Sequence, residues 1–309
     1  MALIDTSRRS VSIPSKVEWI DTHAHLNFNA FKDDADEVIR RSLAGGVQMI
    51  NVGSQYSTSK RAVEMAEKYE EGVYAAIGLH PIHLADGIFK TKLDEEEVVI
   101  PTKNEEFDSG KYKELALRRG SGQAKSKVVA IGEVGLDYYY RPKTKTKLEE
   151  FKARQKKVLL MQLDLAKELT LPVIFHCRTA HEDLAEILDY QLKTTLRQNS
   201  GQANYKLTGV IHCFTGTWED AQKYLAMGFY LGINGIIFKL DLDDIITKVP
   251  LDKILLETDC PYLTPKPMEG RNEPLHVRYV AEKIAGLKGE TLEKISEITT
   301  QNAKKLFKI

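Results

Sequence analysis

The chain has 309 residues, with 44 Lys and Arg against 44 Asp and Glu, and is 42% hydrophobic and 28% charged. That length and balance exclude a disordered or fibrous protein and suffice for one large core or two small ones. A formal net charge of zero supplies no global attraction to nucleic acid or membrane, so a polyanion would have to be held by local charges or a metal. Three cysteines are too few and too odd in number for a disulfide framework, and they point to free thiols in a reducing compartment.

The leader 1–16 lacks the apolar centre of a secretory signal. It carries Arg8 and Arg9 among serines, but Asp5 weakens a mitochondrial reading. No apolar run approaches the roughly 20 residues a membrane-spanning helix needs. The expectation is a soluble cytoplasmic protein, with the nucleus as second location, monomeric or weakly oligomeric and without a membrane partner.

From there, β-rich runs alternate with amphipathic stretches, the pattern of an α/β protein with a mainly parallel sheet. The β-rich runs are 17–25, 49–53, 73–80, 128–135, 172–177, 208–214, 229–236 and 253–259. Their number is what a closed (β/α)8 TIM barrel needs. Helical periodicity falls on 33–44, 57–69, 148–169, 182–196, 219–227, 242–249 and 274–287, with an extra C-terminal helix at 291–307. The stretch 86–127, dense in Lys, Glu, Ser and Gly, interrupts the rhythm between strands three and four. It reads as an elaborated connection within one domain spanning 1–309, with one helix near 111–119 flanked by mobile loops.

The chemistry gathers at strand ends. In the first strand, Asp21, His23 and His25 are spaced two apart and so share a face. Glu133, His176, His212 and Asp259 each close a later apolar run. Parallel strands place their carboxyl ends at one rim, so six ligand-type side chains, four of them from the chain's eight histidines, converge there. Six ligands exceed one tetrahedral zinc. Two divalent cations sharing Glu133 is the economical reading, with His23, His25 and Asp259 on one and His176 and His212 on the other. Such a site suits hydrolysis of a phosphodiester.

Cys177, Cys213 and Cys260 directly follow proposed ligands and should point outward into the strand–helix layer. Substrate contacts are expected from His80, from Asp137 and Tyr138 just past the fourth strand, from Arg178 on the face of His176, from Glu257 on the face of Asp259, and from Arg271 in the last rim loop. Glu257 could instead orient a ligand or pair with an arginine. His83, Lys266, Asn272 and Glu273 are weaker candidates, and Tyr139 and Tyr140 read as packing more than as base-stacking groups.

The segments "DTHAHL", "AIGLHP", "IGEVGLDYY", "FHCR", "HCFTG", "LLETDCPYL", "RNEP" and "QNAKKLF" together resemble the TatD family of metal-dependent deoxyribonucleases, among the amidohydrolase-like barrels, over nearly the whole chain. The resemblance implies a (β/α)8 barrel, a divalent-metal site, and hydrolysis of DNA from the 3′ end of single strands. It places the metal ligands on His23, His25, Glu133, His176, His212 and Asp259, with Asp259 also the candidate general base. The implied cofactors are two ions of Mg²⁺ or Mn²⁺, Zn²⁺ being compatible with the same donors. Asn27 departs from the pattern, since an acidic residue is more usual there.

Two other function classes stay open on sequence. One is an amidohydrolase or lactonase of the same fold acting on a small ester or amide. The other is a binding scaffold without turnover. Glu133 in place of a lysine at the fourth strand end favours the nuclease over the first, and the intact ligand set argues against the second.

Overall fold

The computed structural model describes residues 18–84, 87–93, 96–102, 104–120, 125–198 and 205–309, with side chains throughout except in 87–93, 96–102 and 195–198. The leader 1–16 lies outside the described residues. Eight strands form one parallel sheet: β1 (Trp19–Ala24), β2 (Val47–Val52), β3 (Val73–Ile77), β6 (Val128–Asp137), β7 (Val173–Arg178), β8 (Gly209–Ile211), β9 (Tyr230–Ile233) and β10 (Ile254–Leu256), neighbours in that order. Ala24 bridges Cys260 in parallel register. Across the same seam Asp259 N donates to His23 O at 2.8 Å and His25 N to Cys260 O at 2.9 Å, closing the sheet into a (β/α)8 TIM barrel.

The helices between the strands are α1 (Ala35–Ala44), α2 (Tyr56–Ala66), α4 (Lys145–Leu169), α5 (His181–Gln198), α6 (Trp218–Met227), α7 (Asp243–Lys248) and α8 (Val277–Lys288). Their buried faces pack on the outward-facing strand residues, among them Met49, Ile77, Phe175 and Leu231. A second, smaller cluster fills the barrel interior: Ile20, Ile50, Ala76, Ala130, Ile174, Val210 and Leu255. Ala303, Leu306 and Phe307 of α9 (Leu292–Phe307) join this inner cluster, so the C-terminal helix plugs the amino-end floor of the barrel. It is pinned there by polar contacts: Ser296 and Thr300 hydroxyls donate to Glu18 O, and Asn302 Nδ2 donates to Ile254 O at 2.9 Å. With the floor filled, the opposite rim is where chemistry can reach solvent.

Three departures from the sequence reading have physical causes. The runs 208–214 and 253–259 give strands of three residues, because Cys213 (φ 45°) and Asp259 (φ 57°) adopt left-handed backbone that no strand continues through. His212 and Asp259 therefore sit just beyond their strands, on the rim itself. The stretch 86–127 is not only a helix between loops. It contains an antiparallel hairpin of β4 (Gly87–Leu93) and β5 (Glu96–Thr102) before α3 (Ser109–Leu117). The runs "GIFKTKL" and "EEVVIPT" carry β-branched and aromatic residues among their charges, which is enough for a two-stranded ribbon. α3 starts at the N-cap Asp108, whose side chain accepts from Lys111 N.

Candidate metal centre

β1 delivers His23 and His25 to one face, with Nε2 atoms 3.2 Å apart. His25 Nδ1 donates to Val52 O at 2.8 Å. That bond fixes the ring's orientation and brings Nε2 of His25 to 3.3 Å from Asp259 Oδ1. Asp21 does not reach this group. It accepts from Thr258 N at 2.9 Å and from Thr258 Oγ1 at 2.6 Å, tying β1 to the segment after β10.

Glu133 from β6 lies at the centre, and its two oxygens divide the surrounding imidazoles. Oε2 lies 3.6 Å from His23 Nε2. Oε1 lies 2.7 Å from His176 Nδ1, 3.6 Å from His80 Nε2 and 3.8 Å from His212 Nε2. His212 also stacks on His23 with centroids 3.5 Å apart and comes within 3.9 Å of Asp259 Oδ1. Three donor sets thus have ligand atoms within 4.8 Å of one another: His23, His212 and Asp259; His23, His25 and Glu133; His80, Glu133 and His176.

The donor chemistry fits divalent cations. Lone pairs and carboxylate oxygens face each other in a buried space, an arrangement that is repulsive unless protons or cations sit between them. Separations of 3.2–3.9 Å compare with roughly 2.9–3.4 Å between neighbouring ligands of an ion holding them at ~2.0–2.1 Å. His176 and Asp259 are the most open of the six proposed ligands, with 17% and 16% of their side chains exposed, and give the cluster its mouth.

Electrostatics follow this geometry. Burial favours the neutral acid at Glu133, but His80, His176 and His23 overcome it and hold the carboxyl well below the usual range. Asp259 is likewise depressed, its burial outweighed by His212, His25 and His23. Burial lowers His23 and pushes His80 down to about 3. His176 and His212 go the other way. Against burial, Asp137 and Glu133 push His176 up to about 9, and Glu257, Asp259 and Glu133 push His212 up to about 10.

The expected substrate contacts divide. His80 belongs to the cluster itself, T-stacked on His176 at 4.1 Å, rather than to a phosphate site apart from it. Asp137 braces His176: Oδ2 is 3.2 Å from His176 Nε2 and Oδ1 accepts from Tyr139 N at 2.9 Å. Glu257 cannot touch substrate. It is fully buried beneath His212, 2.9 Å from Nδ1, and accepts from Cys213 N and Asn234 Nδ2. Gly232 makes room for it, since a Cβ there would lie 2.3 Å from Glu257 Oε2. Asn234, which fixes Glu257, carries no sequence signal beyond its place at the end of β9.

Tyr138 faces away from the site, its hydroxyl donating to Asp183 at 2.7 Å and its ring lying under Lys152. The reason is strand parity: β6 continues to Asp137, so residues even with Val134 and Leu136 turn outward. Arg271 is also committed elsewhere, clamped on Asp34, donating to Ala30 O at 2.7 Å and lying over the Phe31 ring at 4.1 Å. It straps the last rim loop to the segment before α1. Asn27 likewise braces backbone, donating to Val52 O and Thr58 O.

Arg178 keeps its place on the site face and lies 3.8 Å over the Tyr139 ring, which is 54% exposed rather than packed. Cys177 and Cys260 are buried in the outer layer as expected. Cys213 is not. Its left-handed backbone turns the thiol to Asn234 Oδ1 at 3.6 Å, and burial with Asp259 and Glu257 nearby holds its pKa well above the usual value.

Comparison with known proteins agrees with the barrel. Residues 20–308 match the family model described as TatD related DNase. The chain is 42% identical to "Uncharacterized metal-dependent hydrolase YabD" of Bacillus subtilis (strain 168), over 94% of this chain and 98% of that one. It is 34% identical to "3'-5' ssDNA/RNA exonuclease TatD" of Shigella flexneri serotype 5b, with the same coverage. Among solved structures, the Escherichia coli TatD homolog YJJV superimposes with a TM-score of 0.75 at 28% identity, covering 94% of this chain and 98% of that one. The parallel barrel, the histidine and carboxylate cluster at its rim and these matches together make the chain a member of the TatD family of metal-dependent hydrolases.

Proposed function

We propose that the chain is a deoxyribonuclease that hydrolyses phosphodiester bonds from the 3′ end of single-stranded DNA, using two divalent cations that share Glu133. The observation that carries this reading is the division of Glu133: Oε2 faces His23, and Oε1 faces His176, His212 and His80. His23, His25, Glu133 and Asp259 would hold one ion; Glu133, His176 and His212 would hold the other, with His80 at hand. Bound Mg²⁺ or Mn²⁺, or Zn²⁺ in the same donors, supplies Lewis acidity at the phosphoryl oxygens and lowers the pKa of water.

The protein's own groups do the rest. Asp259 is ionised and partly open, so it can take a proton from the attacking water. Asp137 and Glu257 hold the rings of His176 and His212 so that neither imidazole can swing away. The relative named as an exonuclease supports nucleic acid as the substrate class.

The test is cleavage of a 5′-labelled single strand by chelator-stripped protein re-supplied with Mg²⁺, Mn²⁺ or Zn²⁺. A ladder shortening from the 3′ end only with metal, and reduced by at least about 10³-fold in Glu133→Ala, is the expected result. Intact DNA in every metal, with turnover of a carboxyl ester or amide, would instead make the protein an amidohydrolase or lactonase of the same fold.

A further inference from the structure

Two side chains just outside the cluster are built as a pair. Tyr139 stands 54% exposed at the rim, and the Arg178 guanidinium covers one side of its ring at 3.8 Å. Both are tied to the centre by short links. Asp137 holds His176 Nε2 with one carboxylate oxygen and Tyr139 N with the other. Arg178 lies two residues beyond His176 on the same face of β7, and its carbonyl accepts from Tyr138 N at 2.9 Å. Two residues of strand span about 6.6 Å, the reach of one nucleotide.

The chemistry of the pair is unlike that of Arg41 and Arg271 at this end of the barrel. Arg41 is bonded to Glu273, and Arg271 to Asp34 and Glu273. Arg178 has no carboxylate partner among the described residues. Stacking on the tyrosine orients its planar fork while leaving the N–H groups free, which suits bidentate contact with a phosphate. An exposed tyrosine beside a free guanidinium is poor surface chemistry for a fold alone. It is what a single strand requires, a π face for a base and a donor for the adjoining phosphate.

We infer that Tyr139 and Arg178 form a nucleotide-binding step beside the metal centre, Tyr139 stacking on one base of the single strand while Arg178 grips the phosphate next to the bond being cut. This step presupposes the nuclease activity proposed above and adds the subsite that makes the substrate a single strand. In a duplex the bases are stacked on one another and offer Tyr139 no free face.

The experiment is steady-state cleavage of a 5′-labelled dodecamer by the metal-loaded full chain, wild type beside Tyr139→Ala, Tyr139→Phe, Arg178→Ala and Arg178→Lys. Each enzyme is also given dodecamers with one abasic residue placed in turn at the four 3′-terminal positions. Tyr139→Ala should raise KM about tenfold with kcat little changed, and Tyr139→Phe should restore it, because the ring and not the hydroxyl makes the contact. For wild type, one abasic position should raise KM by the same factor, and for Tyr139→Ala that position should cost nothing further. Arg178→Ala should raise KM and flatten its dependence on salt, with only partial recovery in Arg178→Lys. If wild type cuts DNA while Tyr139→Ala keeps its KM and every abasic position is tolerated alike, the step does not exist although the nuclease does. If wild type cuts no DNA with any metal, the parent activity fails first and the step with it.

Discussion

His176 and His212 are each gripped by two or more carboxylates, and both therefore carry a proton in the metal-free protein at neutral pH, with pKa values pushed up to about 9 and about 10. A cation must displace those protons. Metal uptake at pH 7.5 is expected to release one to two protons, and apparent affinity should climb as pH rises toward 9. Calorimetry in buffers of different ionisation enthalpy reads the proton count directly, and a count of zero would show that metal binding displaces no proton from these rings. The sign for stability follows from the same shifts. Raised histidine pKa values stabilise the metal-free fold fully below the ordinary value of 6.5, and that contribution is lost as pH climbs through about 9 to 10. Chelated protein should accordingly melt lower at pH 9 than at pH 6.5.

At the scale of elements, α9 does what no barrel strand can: it fills the floor. Phe307 is 3% exposed and lies in the inner cluster with Leu306 and Ala303. Phe307→Ala is expected to cost about 3–5 kcal/mol, read from urea unfolding of the metal-free protein, because the hole opens into a closed barrel end that cannot collapse. A loss under about 1 kcal/mol would mean the helix covers the floor without sealing it.

The elements also show what was legible in the sequence. Apolar runs ending in His, Glu or Asp located the strands and their common rim but not their ends, since β6 and β7 run on past Glu133 and His176 while β8 and β10 stop short of His212 and Asp259. Tyr138 and Tyr139 were readable too, had the alternation of β6 been carried past Gly135: counting by twos from Glu133 puts Asp137 and Tyr139 on the site side and Tyr138 outside. Arg271 was not readable, because Asp34 lies 237 positions away and nothing local announces the pairing. Nor was the β4–β5 hairpin, whose charges mask its β-forming residues.

The whole molecule is electrically neutral, 44 positive against 44 negative, and the structure shows how that neutrality is spent near the rim. Arg41, Arg271, Asp34 and Glu273 neutralise one another across the last rim loop, and Lys156 pairs with Asp183 beyond Tyr138. Among the described residues, Arg178 stands nearest the cluster without a carboxylate partner, and Arg141, Lys143, Lys145 and Lys147 are exposed in the segment that follows Tyr140. If Arg178 alone meets the phosphates beside the metal centre, binding of single strands is local and weakly sensitive to salt. A strand that displaces counterions from one or two phosphates has a slope of log affinity against log salt of about −0.7 to −1.4, since each phosphate contributes about −0.7. Fluorescence anisotropy of a labelled dodecamer on the Glu133→Ala variant, from low to high KCl, measures that slope without cleavage. A slope steeper than about −3 would require a basic track of four or more contacts, and the exposed Arg141, Lys143, Lys145 and Lys147 beyond Tyr140 would be the first place to seek it. A shallow slope would leave the metal centre and the Tyr139–Arg178 pair as the principal source of affinity, so that specificity resides in the few residues that also position the bond to be cut.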